Sequence, residues 1–123
     1  MANGPVDFSL LIGPNVPVRS FRAGETIFRE GDTATELYVI ERGRVKISLG
    51  NRLLDELDDN GIFGEMALID NEPRSATATA ATDVTLVPVT EKQFLFLVSN
   101  TPFFALKVMR VMADRLRVSN KAF

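Results

Sequence analysis

Between Val16 and Val89 the chain is cut by turn signals at intervals of 7 to 12 residues: Gly24, Gly31-Asp32, Gly43, Gly50-Asn51 and Asn60-Gly61. A helix of ordinary length does not fit between such breaks, whereas a strand of roughly four to eight residues does. The intervening residues agree. Val45, Ile47 and Leu49 alternate with Arg44, Lys46 and Ser48, which predicts a strand with one wet face. Leu37 to Ile40 is continuously apolar and predicts a more deeply buried strand. Short strands at this spacing close into a barrel, sandwich or roll. In the stretch SATATAAT (75–82), Ala76, Ala78 and Ala80 alternate with Thr77 and Thr79. Thr favours strand, and Ala lets another group approach the sheet closely. The stretch therefore reads either as a small-residue strand under a helix or as the floor beneath a ligand.

After Pro88 the period changes. Thr90 suits an N-cap and Glu91 the first turn of a helix running to about Ser99. Thr101-Pro102 restarts helix, with Pro at its first position. Leu106, Met109, Ala113 and Leu116 form one apolar stripe on it, and Phe104, Val108, Val111 and Met112 an adjacent one; so broad an apolar face is expected to pack as core, the alternative being that part of it meets a partner helix or a bound ligand. Arg110, Arg115 and Arg117 lie toward the polar side or the C-terminal end. Residues 1–15, punctuated by Gly4, Pro5, Gly13 and Pro14, read as an N-terminal arm. The expected organisation is α+β: one domain over 16–123, with an antiparallel β-roll at 16–89 and two helices within 90–121.

Composition narrows the chemistry. The 123 residues carry 14 basic and 16 acidic side chains, a net charge of −2, and contain no histidine and no cysteine. Disulfides, thiolate chemistry, Cys/His zinc sites and a histidine base are thereby excluded. An acidic balance argues against a dedicated nucleic-acid binder, so an anionic ligand needs a local basic group. No apolar run reaches the roughly 18 residues of a membrane span, and the N-terminus lacks a basic opening. A cytoplasmic location is the expectation.

The residues that carry chemistry lie at 61–76, GIFGEMALIDNEPRSA. Ile62-Phe63 reads as a short strand between turns, and Glu65-Met66-Ala67-Leu68 as a short helix following Gly64. A helix start offers outward backbone N–H groups to an anion. Glu65 and Arg74 stand nine positions apart across Pro73, too far for one helix face. They bridge each other, or they meet around something. Arg74 can hold a phosphate with two parallel hydrogen bonds, Ser75 adds a hydroxyl, and Glu65 remains as an acceptor for hydroxyl groups. A ribose phosphate would suit that set. No second carboxylate beside Glu65 has a clear acid–base role, so an enzyme is not expected.

The stretch GEMALIDNEPRSATA resembles the phosphate-binding cassette of cyclic nucleotide-binding domains, which occur in catabolite-activator-type regulators, cyclic-nucleotide-dependent kinases and gated channels. Residues 21–48 are similar to the first half of that family's β-roll, and 91–120 to its two C-terminal helices. The resemblance implies a ligand-binding set of Gly64, Glu65, Met66, Ala67, Arg74, Ser75 and Ala76. Glu65 would accept from the ribose 2′-hydroxyl. Arg74 would pair with the exocyclic phosphate oxygens, and the Ala67 N–H and Ser75 hydroxyl would complete the cradle. Val45, Ile47, Leu54 and Leu57 would lie beside the base, capped from the last helix by Arg115, Leu116 or Arg117. The implied ligand is cyclic AMP, to which Ser75 leans, or cyclic GMP; no cofactor and no metal are implied. Nothing after Asn120 can form a helix-turn-helix, so direct DNA readout is not expected and the domain reads as free-standing. Its expected role is a sensor whose C-terminal helices move on ligand binding. The alternative is a roll that no longer binds nucleotide and associates, with itself or a partner, through Phe104, Val108, Val111 and Met112.

Overall fold

The computed structural model of the protein describes residues 17–69 and 71–100, with 103, 105, 106, 108–110 and 113 of a following helix. The expected N-terminal arm and Arg115, Leu116, Arg117, Phe104, Val111 and Met112 lie outside the described residues. Eight strands form in the β texture: β1 (Arg19–Phe21), β2 (Thr26–Phe28), β3 (Glu36–Arg42), β4 (Val45–Leu49), β5 (Arg52–Leu57), β6 (Ile62–Phe63), β7 (Thr77–Ala80) and β8 (Val84–Thr90). A four-residue helix, α1 (Met66–Ile69), sits between β6 and β7, and α2 (Glu91–Asn100) follows β8. Among the described residues, no helix is long and apolar enough to cross a membrane.

The strands pair antiparallel into two four-stranded sheets, ordered β1-β8-β3-β6 and β2-β7-β4-β5. This is the expected β-roll with its short helix and C-terminal helices. The continuous apolar run of β3 has a simple cause: its alternate residues face two cores. Tyr38 and Ile40 point into the roll with Val45, Phe63, Ala78, Ala80, Val84 and Leu86. Leu37 and Val39 point the other way, with Ile62, Val87, Val89, Leu97 and Val108. Strands β3 and β8 are thus buried on both faces, as their runs of hydrophobic residues require.

That layering settles two readings of the sequence. Ala78 and Ala80 line the roll interior, so the small-residue strand does not lie under a helix. The helical residues after Pro102 turn Val108 to the core, 3% exposed, while Leu106 and Met109 are 37% and 57% exposed. Of the broad apolar face expected to pack as core, Val108 does so and is unavailable for surface association, whereas Leu106 and Met109 face outward. The periodicity was correct but two adjacent stripes were apolar, and only packing against Val87 and Leu97 chooses between them. The β4 alternation also fades along the strand, from buried Val45 to Leu49 at 42% exposure. β7 backs β4 only over Val45 to Ser48, so Leu49 runs past its neighbour.

The start of α2 is a reciprocal capping box. The Thr90 N–H donates to Gln93 Oε1 at 3.0 Å, and the Gln93 N–H donates to Thr90 Oγ1 at 3.3 Å. Two otherwise orphaned donors are satisfied. Thr90→Ala is expected to cost about 1 kcal/mol of unfolding free energy, measured by urea denaturation.

Candidate functional site

The backbone of Arg74 is fixed before its side chain begins. Its N–H donates to the Asp32 carbonyl at 2.9 Å, and its carbonyl accepts the Gly31 N–H at 2.8 Å. The turn between β2 and β3 therefore clamps the residue that ends the loop after α1. From there the guanidinium runs inward. Nη1 donates to the Gly64 carbonyl at 3.1 Å and Nη2 to the Glu36 carbonyl at 2.8 Å. Its Cζ lies 4.1 Å from the centre of the Phe28 ring and 5.6 Å from that of Tyr38. Phe28, Tyr38 and Phe63 pack on one another with centroids 5.4 to 6.1 Å apart, forming an aromatic floor. Cation–π attraction holds the guanidinium over it.

Gly64 is required at this point for two reasons. Its φ is +75°, and a Cβ there would stand 2.7 Å from Arg74 Nη1. The sequence GE at the strand-to-helix junction thus makes room for the guanidinium and places Glu65 next to it. Glu65 is 2% exposed and Arg74 7%, and they are the buried charged side chains of the described residues. They do not pair with each other; the ion pairs formed among the described residues are Arg19–Glu36 and Arg44–Glu56. The structure therefore removes the reading in which the two charges simply bridge.

Burial pushes the Arg74 guanidinium below its usual pKa, partly offset by Tyr38 and by the nearby Glu36 and Asp32 carboxylates. An arginine remains charged through any such shift. Its Nε–H, also buried, makes no hydrogen bond. The site thus contains a desolvated cation met directly by two carbonyls and an aromatic face, with its buried Nε–H unused. Such a group is completed by an anion.

The other residues of the set surround it unevenly. Ala67 and Ala76 are buried, while Met66 and Ser75 are exposed. The Ala67 N–H donates to the Gly64 carbonyl at 3.2 Å and the Leu68 N–H to the Glu65 carbonyl at 3.1 Å. The tight first turn of α1 therefore uses the Ala67 donor that the family resemblance implies for the phosphate. Val45 is in the roll core, with Ile47 and Leu57 packed against it. Leu54 does not join them: it is 41% exposed, and the β4–β5 register passes from Ile47–Asp55 to Ser48–Leu53, skipping it. A bulge turns such a residue outward. Sequence reasoning missed Phe28, Glu36 and Tyr38 around the guanidinium. The spacing of Glu36 and Tyr38, two apart on one strand face, was the available signal.

Residues 18–101 match the cyclic nucleotide-binding domain family. The chain is 34% identical over 107 residues to a CRP-like cAMP-activated global transcriptional regulator of Mycobacterium tuberculosis, covering 81% of this chain and 47% of that protein. It is 37% identical over 93 residues to a cyclic nucleotide-gated potassium channel of Rhizobium etli, covering 76% and 26% respectively. The chain thus spans less than half the length of these curated relatives. Among solved structures, the Thermus thermophilus catabolite activator protein superposes with a TM-score of 0.76 at 32% identity, over 86% of this chain and 52% of that one. A kinase regulatory cyclic-nucleotide domain bound to Sp-2Cl-cAMPS gives 0.74 at 26% identity, over 86% and 70%. With its β-roll, its cassette and its buried Glu65 and Arg74 now placed, the chain belongs to the cyclic nucleotide-binding domain family.

Proposed function

We propose that the domain is a sensor for a cyclic purine nucleotide, and that it acts by binding alone, without catalysing a reaction. The observation that carries this reading is the buried Arg74 guanidinium, held over the Phe28 ring with its Nε–H unused and unpaired to Glu65. Arg74 takes the exocyclic oxygens of the phosphate. Glu65, 2% exposed beside it, takes the ribose 2′-hydroxyl. Gly64, Met66, Ala67, Ser75 and Ala76 shape the cradle, with the Ser75 hydroxyl as a further donor. Val45, Ile47 and Leu57 give the base an apolar wall, so the base is recognised with few polar contacts. Cyclic AMP is the preferred ligand and cyclic GMP the alternative. Binding shifts the C-terminal helices between two positions, which requires different ligand contacts in each. Leu95, Phe96, Phe103 and Met109, all 45% exposed or more, give those helices an apolar surface for a protein partner.

Titration calorimetry with cyclic AMP and cyclic GMP tests the reading directly. Heat of binding with a sub-millimolar dissociation constant for one of them supports it; silence from both at that concentration sinks it. Glu65→Gln probes the sugar contact. The amide keeps one acceptor but loses the charge, and a charge-assisted hydrogen bond exceeds a neutral one by about 1–1.5 kcal/mol. Roughly tenfold weaker cyclic AMP binding is expected. Affinity unchanged within twofold would remove Glu65 from the site.

A further inference from the structure

A second arginine approaches the same aromatic floor. Arg19 on β1 stands opposite Leu86, and Tyr38 on β3 stands opposite Pro88, two residues along β8. Both side chains therefore share one sheet face. Arg19 Nη1 donates to the Tyr38 hydroxyl oxygen at 2.9 Å and forms an ion pair with Glu36 Oε1. The Tyr38 hydroxyl donates to that same Oε1 at 2.8 Å. The two guanidiniums share one ring, with Arg19 Cζ 5.8 Å and Arg74 Cζ 5.6 Å from the Tyr38 centroid.

Glu36 is thus poised between two cations. Its backbone carbonyl already accepts from Arg74 Nη2 at 2.8 Å, while its carboxylate is turned to Arg19 and Tyr38. The Glu36 side chain is only 13% exposed, so water competes weakly for it. Its charge already acts on Arg74 through space, raising the guanidinium's pKa against the effect of burial. A desolvated carboxylate beside a buried guanidinium with an unused Nε–H is the nearest internal substitute for an anionic ligand. What holds it away is the pair of contacts from Arg19 and Tyr38.

We propose that Arg19 is a positioning residue that sequesters the Glu36 carboxylate and so keeps Arg74 available to the phosphate of the ligand. Without the Arg19 charge, Glu36 rotates toward Arg74 and competes with the nucleotide from within the fold. This rests on the cyclic-nucleotide reading of the site above.

Cyclic AMP titrations of the wild type, Arg19→Met, Arg19→Lys and the double variant Arg19→Met/Glu36→Gln test it. Met keeps the apolar stem and removes the charge. Arg19→Met is expected to bind about fivefold to tenfold more weakly. Arg19→Lys, which keeps a cation beside Glu36, is expected to recover most of the loss. The double variant is expected to return to within about twofold of the wild type, because the internal competitor is gone. A purely structural role for Arg19 on β1 predicts no rescue by Glu36→Gln, and that result overturns the proposal. So does Arg19→Met binding like the wild type. Arg19→Gln is read in the same way and serves if the methionine variant does not fold. If the wild type itself binds no cyclic nucleotide, the function proposed for the site fails first; if it binds and the Arg19 variants do not differ, only the positioning role fails.

Discussion

Arg74→Ala is expected to weaken cyclic AMP binding about a thousandfold, measured by titration calorimetry on protein shown by circular dichroism to be folded. Hydrogen bonds to a charged group contribute about 1.5–3 kcal/mol each, and a guanidinium can offer two to a phosphate, so a loss near 4 kcal/mol corresponds to three orders of magnitude. The loss is large because the site contains no substitute. The backbone clamp from Gly31 and Asp32 and the Phe28 ring position this one residue. Arg74→Lys keeps a charge but not the planar fork, and lysine is not equivalent at a stacked, bidentate position. It should recover part of the affinity only. Alanine binding within tenfold of wild type would show that the phosphate is held elsewhere.

The largest expected stability effect is at Gly43, in the turn between β3 and β4, far from any ligand contact. Its φ is +105°, and a Cβ there would meet the Asp83 carbonyl at 2.3 Å and Val84 Cγ1 at 2.6 Å. The turn packs against the Thr82-Asp83 corner that leads into β8. The Gly43 N–H also donates to Asp59 Oδ1 at 2.8 Å, so the turn cannot retreat without losing that bond. Left-handed strain costs about 1–2 kcal/mol for an ordinary residue and overpacking about 1–3 kcal/mol more. Gly43→Ala should therefore lower the unfolding free energy by about 2–5 kcal/mol in urea denaturation, a large part of a small domain's stability. A loss below about 1 kcal/mol would mean that the corner yields at little cost.

The architecture was legible in the sequence because each strand is short and each turn is marked. The glycines fell between the strands, and Thr90 started α2 where capping chemistry places it. The two buried charges were also legible, since Glu65 and Arg74 sit in a cassette with its own signature. Three things were not legible. Choosing between two adjacent apolar stripes needs the surface that the helix meets, and Val108 became core through contact with Val87 and Leu97. Leu54 fits an alternating pattern and is displaced by a register shift that no pattern records. The surroundings of Arg74 come from Phe28, Glu36 and Tyr38, which lie 46, 38 and 36 positions earlier in the chain. Their meeting is a product of the roll's topology, not of local spacing.

Because β3 supplies a wall to both hydrophobic cores, neither can come apart alone. Losing Leu37 and Val39 from the helix side would bend the strand that holds Tyr38 beside Arg74. Stability in such an arrangement is one shared quantity rather than two independent ones. A substitution at Leu97, on α2 and with no part in the ligand cradle, therefore acts on the same strand as one under the guanidinium. The fold has a common partition, and anything that shifts that partition is felt on both sides of it.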